Sequence, residues 1–252
     1  MTTVSKAGAA VWVVAAALVV VFAVVGIDPK VRLYYSNVMQ TLLSLAAAFL
    51  CFRTVFALPE GSPLRKVWGL IGGGVLAWGI GATVFASYPL LNDGKETPFP
   101  SLADVGYLLT SPLIAAGLLV FTRSTGLVAP LWGKAVALAL FGISFAIAIW
   151  ANWPGLTSGA PLLVLTAGCY ALFDPVLLGV TVMTASAFRG GEIAQAWWYL
   201  LAGILLYYAG NQIYNYLSVT KQYATGSPID VGWLLGFGLI AIAAVKIRSL
   251  MT

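Results

Sequence analysis

The chain has 252 residues, 61% hydrophobic and only 8% charged, with a mean hydropathy of +0.96. About a quarter of the residues in a soluble globular domain are charged, so this composition excludes a water-coated globule. The net charge of +5 does not indicate nucleic acid, because the thirteen Lys and Arg stand at the ends of apolar runs and form no basic cluster.

Eight apolar segments follow in chain order. The first, 9–27, comes just after Lys6 and is too long for a signal-peptide core, so it reads as a retained helix. The second covers 38–58 and the third 67–91, followed by a polar loop, 92–100, with the sequence NDGKETPFP. The fourth covers 102–122, the fifth 131–150, the sixth 161–188, the seventh 194–218 and the eighth 228–248. Runs of about 20 apolar residues cross a bilayer as helices, whereas a barrel would show short alternating strands. The expected fold is therefore all-α, a polytopic membrane bundle of eight transmembrane helices forming one integral domain, 1–252.

Orientation follows from the basic residues. An even helix count puts both termini on one side, together with Lys6, Arg53, Arg65, Lys66, Arg123, Lys134, Arg189, Lys246 and Arg248. Lys30, Arg32, Lys95 and Lys221 fall on the other side. The richer side is expected to be cytoplasmic, in the inner (plasma) membrane, with the 92–100 loop outside.

Two stretches resemble each other. Ser101-Leu-Ala-Asp104-Val-Gly-Tyr-Leu-Leu opens the fourth segment, and Ser227-Pro-Ile-Asp230-Val-Gly-Trp-Leu-Leu opens the eighth. A weaker match pairs Trp68 with Trp198 and Gly73 with Gly203. Two parallel four-helix halves, 1–126 and 127–252, are the expected architecture. Serine followed three residues later by aspartate is a capping-box-like pattern, so Ser101, Asp104, Ser227 and Asp230 are expected to cap helix N-termini. A ligand-binding role for the two aspartates is the rival reading.

Polar residues within the apolar segments are the candidate site. Asp174 lies thirteen residues into the sixth segment, next to Pro175, about 20 Å along the axis. A carboxylate at that depth is either a hydrogen-bonded tie at a kink or a functional group. In the seventh segment Tyr207, Asn211, Tyr214 and Asn215 recur at helical spacing. This stripe is either interhelical hydrogen-bond glue or, with Trp78, Tyr107 and Trp233, the wall of a ligand vestibule opening outward.

Other chemistry lacks its residues. Without a histidine there is no usual haem ligand and no usual general base. Cys51 and Cys169 form no CxxC, so no zinc or redox site is indicated. A retinal Schiff base would need a lysine deep in the last helix, and Lys246 stands at its end. No Walker loop or GxSxG motif occurs. No catalytic residue, metal or cofactor is expected, although lipid or another apolar ligand would suit the interior.

The stretch Pro98-Phe-Pro-Ser-Leu-Ala-Asp104-Val-Gly-Tyr-Leu-Leu, with Pro112 beyond it, resembles the multi-helix N-terminal membrane regions of bacterial diguanylate cyclases and sensor histidine kinases. Tyr170 with Asp174, and the Asp-Val-Gly-Trp-Leu-Leu opening of the last segment, fit the same pattern. The resemblance implies a membrane-embedded sensory input module. It stops at Thr252, without the linker helix or catalytic domain of those proteins, so no output function is carried over. The chain reads as a stand-alone relative or as a piece of a longer protein.

The leading expectation is a non-enzymatic membrane module that senses or binds a small apolar or amphipathic molecule, or packs against membrane partners or a second copy. A small transporter coupled to protons or cations through Asp174 is the first rival. A structural or pigment-binding subunit, suggested by the nine tryptophans, is the second.

Overall fold

The computed structural model describes residues 3–188 and 190–251. Among these, eight α-helices account for most of the chain: α1 (Thr3–Val25), α2 (Pro29–Ala57), α3 (Pro63–Leu91), α4 (Ala103–Thr125), α5 (Leu131–Leu156), α6 (Pro161–Ser186), α7 (Gly191–Val219) and α8 (Val231–Met251). A 3-10 turn, Pro228–Asp230, leads into α8, and no strand occurs among the described residues.

Six helices, α2 to α6 and α8 with its leading turn, are long and apolar enough to cross a membrane. The described apolar stretch of α1 is shorter, Ala10–Val25. α7 has the length, at 29 residues, but carries Asn211, Gln212 and Asn215, all of them buried. Its polar groups face protein rather than lipid, so a criterion based on composition passes over it.

Local signals set the helix starts. Asp28 caps α2 by accepting a hydrogen bond from the Lys30 backbone N–H at 2.8 Å, and Pro29 occupies the first turn, where its missing N–H is no loss. α2 therefore begins well before the apolar run at 38–58. At the end of α4, Gly126 takes the left-handed conformation, with φ 63°, that favours glycine at a helix terminus.

The helices close into a ring in the order α2, α3, α4, α6, α7, α8 and back to α2. α1 lies outside the ring against α8 and α2, and α5 lies outside against α6 and α7. Burial is inverted relative to a soluble protein. Asp104, Asp174, Asp230 and Asn215 are at most 4% exposed, whereas Val24, Phe56 and Leu131 are more than 75% exposed. Trp132, Trp150 and Trp153 project outward near the two ends of α5, where indole suits a membrane interface.

Two tight helix pairs hold the ring. A Cβ on Gly106 of α4 would collide with the Ala77 carbonyl of α3, and one on Gly74 would meet the Thr110 carbonyl at 2.8 Å. In the α7–α8 pair, a Cβ on Gly203 would meet the Gly236 carbonyl at 2.7 Å. Glycine lets these backbones approach to van der Waals distance, the usual basis of helix association in lipid. Gly74 and Gly203 each face a neighbouring backbone carbonyl, and the Trp68 and Trp197 indoles are both buried. Gly73 meets nothing within 4 Å, and Trp198 is 44% exposed. Arg189, counted in the orientation argument, lies outside the described residues, as does the side chain of Lys6.

Candidate functional site

Asp104 and Asp230 stand at the starts of α4 and α8, and each reaches across to a different helix. One Asp104 oxygen accepts from the Ser101 backbone N–H at 2.6 Å, and the Ser101 hydroxyl accepts from the Ala103 N–H at 3.3 Å, bracing the turn that enters α4, whose N-cap position is Leu102 and has no side-chain cap bond. The other Asp104 oxygen accepts from the Tyr170 hydroxyl of α6 at 2.8 Å. Asp230 differs from a simple cap. It accepts from the Gly226 N–H at 2.8 Å, which closes its own turn, and also from Ser36 (2.5 Å) and Gln40 (3.1 Å) of α2 and from Tyr223 (3.0 Å). The Ser227 hydroxyl, expected to cap, makes no hydrogen bond.

Asp174 forms a third network in the middle of the ring. It accepts from Ser111 of α4 at 2.7 Å and from Asn211 and Gln212 of α7 at 3.0 and 3.2 Å. Ser111 and Asp174 each directly precede a proline inside a helix, Pro112 and Pro175. Each proline leaves a carbonyl one turn earlier without its helical donor. α6 nevertheless remains one helix through Pro175. The Tyr207 hydroxyl stands beside Ser111, Asn211 and Thr110, so Tyr207 belongs to this cluster. Asn215 is wholly buried with neither amide atom hydrogen-bonded.

The three networks meet at one small chamber. Its aromatic walls are Trp78, Phe85, Tyr107, Tyr214 and Trp233, and its polar lining is Gln40, Tyr170, Asn211 and Tyr223. Trp78 lies 5.1 Å from Tyr107 and 6.0 Å from Trp233, and Tyr214 lies 5.5 Å from Trp233, measured between ring centroids. Four of the lining residues are bonded to aspartates: Gln40 and Tyr223 to Asp230, Tyr170 to Asp104 and Asn211 to Asp174. The Trp233 indole N–H donates to Asn211 at 2.8 Å, tying the wall to the Asp174 network. The chamber encloses about 10 Å³, room for about one water molecule.

A larger vestibule adjoins it. This cavity of about 490 Å³ is bounded by the 92–100 loop, the end of α7 and the loop after α7, a volume typical of small-molecule sites. Tyr214 and Tyr223 line both spaces and form the partition between them. Phe99 braces the partition, 5.8 Å from Tyr214. Glu96 accepts from the Thr225 hydroxyl at 2.8 Å and its backbone N–H at 3.2 Å, joining the two loops above the vestibule. Burial and the neighbouring Asp230 carboxylate hold the Tyr223 phenol well above its ordinary pKa, so it remains a proton donor.

Of the residues singled out in the sequence, Trp78, Tyr107, Tyr170, Asn211, Tyr214 and Trp233 line the chamber. Asp104, Asp174 and Asp230 stand behind its lining, while Tyr207 and Asn215 do not line it. Sequence reasoning missed Ser36, Gln40, Ser111 and Tyr223. The spacing of Ser36, Gln40 and Ser44, each four apart and all buried, was the available signal for a polar face on α2. Tyr223 sits in a loop, where no periodicity points to it.

Among the described residues the aspartates make no ion pair; the one salt bridge joins Arg65 to Glu60, at 3.9 Å. No three metal-ligating side chains converge among those residues. The arrangement is suited to holding a molecule against aromatic faces and hydrogen-bond acceptors. No protein-family model, curated protein or solved structure matches the chain.

Proposed function

We propose that this integral membrane protein is a small-ligand-binding module whose ligand comes from the outer loop side, through the vestibule, to the aromatic chamber. The supporting observation is that the two cavities share Tyr214 and Tyr223, so moving two side chains would join them. In this reading the termini are cytoplasmic, the paired loops face outward, and a bound ligand biases how α7 and α8 pack. A sensory role of the kind implied by the sequence resemblance would use that bias. Mass spectrometry of the gently extracted protein tests the reading. A co-purifying small molecule that is lost in Tyr214→Ala supports it, and protein free of any such molecule in both forms counts against it.

A second reading, transport, is favoured by Asp174, a buried carboxylate bonded only by neutral donors. It predicts proton-dependent uptake into vesicles that Asp174→Asn abolishes. Flux unchanged by that substitution would exclude the carboxylate as the coupling group.

A further inference from the structure

Building on the ligand-binding reading, we infer that the chamber takes an organic monocation, an ammonium bearing small alkyl groups, held against the faces of Trp78, Trp233, Tyr107 and Tyr214.

The lining contains no Lys or Arg. Gln40, Tyr170, Asn211 and Tyr223 of the lining are each hydrogen-bonded to an aspartate, and none of those aspartates is ion-paired among the described residues. Three carboxylates thus surround one space with no positive charge in it. An anion there would face all three across a low-dielectric interior. A neutral apolar guest would fill the space but leave the carboxylates without a counter-charge. A cation uses every feature of the lining.

The aromatic geometry points the same way. Ring faces carry negative quadrupole density, and indole is the best of the natural side chains at holding a cation. Trp78 and Trp233 stand 6.0 Å apart with Tyr107 and Tyr214 on either flank, rings in contact with one another that must part to admit a cation. Tyr170 and Tyr223 donate to carboxylates, which raises the electron density on their oxygens and rings and passes the buried charge inward. The vestibule has Glu96 and Lys221 on its wall, charges of opposite sign, so discrimination resides in the chamber. The water-sized space must widen, and the Tyr214–Tyr223 partition is where the vestibule provides room.

The test titrates the purified full chain in detergent with choline and with its uncharged isostere, in which carbon replaces nitrogen. Tryptophan fluorescence and melting temperature are read against sodium chloride at matched ionic strength. Choline is expected to bind at least about tenfold more tightly than the isostere, as one or two cation–π contacts would produce. Tyr170→Phe and Tyr223→Phe, which keep the rings but break the links to the carboxylates, should each shrink that preference several-fold. A cooperative melting transition in the absence of either compound shows that the variants are folded, and a preference undiminished in both variants would overturn the cation assignment. Equal affinity for the two compounds would overturn the cation assignment and leave the ligand-binding reading intact. No response beyond the salt control would also overturn the assignment, and the co-purification experiment then decides the broader reading separately.

Discussion

The Tyr170 hydroxyl donates to Asp104 across 2.8 Å and binds the start of α4 to α6. Ser36 does the same between α2 and Asp230 at the head of α8. Both links lie where the two halves of the ring meet, so each aspartate closes its own helix and also joins the halves.

Tyr170→Phe removes one of these links without emptying any volume. Stability in detergent should fall by about 1 kcal/mol, the typical net worth of such a bond inside a membrane protein. A denaturant titration in mixed micelles reads this directly. A loss above about 3 kcal/mol would mean that the hydroxyl does more than bond Asp104.

Asp230→Ala should cost more than Asp104→Ala. It strands four donors, from Ser36, Gln40, Tyr223 and the Gly226 backbone, against three contributed by Ser101 and Tyr170 at Asp104. A buried donor left without a partner costs about 1–3 kcal/mol. A double-mutant cycle between Ser36 and Asp230 should show coupling, and additive losses would contradict the bond.

Gly106→Ala places a methyl group against the Ala77 carbonyl, so α3 and α4 must separate. The expected cost is about 1–3 kcal/mol from overpacking. Gly73→Ala, with nothing within 4 Å of its new atom, should be neutral or stabilise by up to about 1 kcal/mol through helix propensity. The same micelle titration tests both, and equal effects would refute the asymmetry.

Thr225→Val breaks the hydroxyl arm of the link to Glu96. Amide hydrogen exchange in the 92–100 loop should accelerate by about tenfold or less, while the helix cores stay protected. Unchanged exchange would show that the two loops are held independently.

The helical bundle was legible because apolar runs of this length have one stable form in lipid. Helix starts were less so. The first turns of α2 contain Lys30 and Arg32, which interrupt an apolar run yet suit a helix end, and Asn37 is buried against other helices. The repeated Ser-x-x-Asp openings were visible in sequence, whereas the close glycine approaches in α3–α4 and α7–α8 depend on which helices pair, which sequence does not display. The chamber was only partly visible. The sequence displays tryptophans and asparagines, but not which of them converge. Tyr207 and Asn215 lie on the buried side of α7 with Asn211 and Tyr214, and a helical stripe wide enough to include all four touches more than one neighbouring helix.

A chamber that fills from outside requires a chain that crosses the membrane an even number of times with its paired loops opposite its ends. Single cysteines at Lys95 and Ser249, both exposed, can be introduced after Cys51→Ala and Cys169→Ala and probed in intact cells with a membrane-impermeant thiol reagent. Lys95→Cys should label at once, and Ser249→Cys only after the membrane is opened. Labelling of both from the same side would contradict the topology and, with it, a chamber that fills from outside.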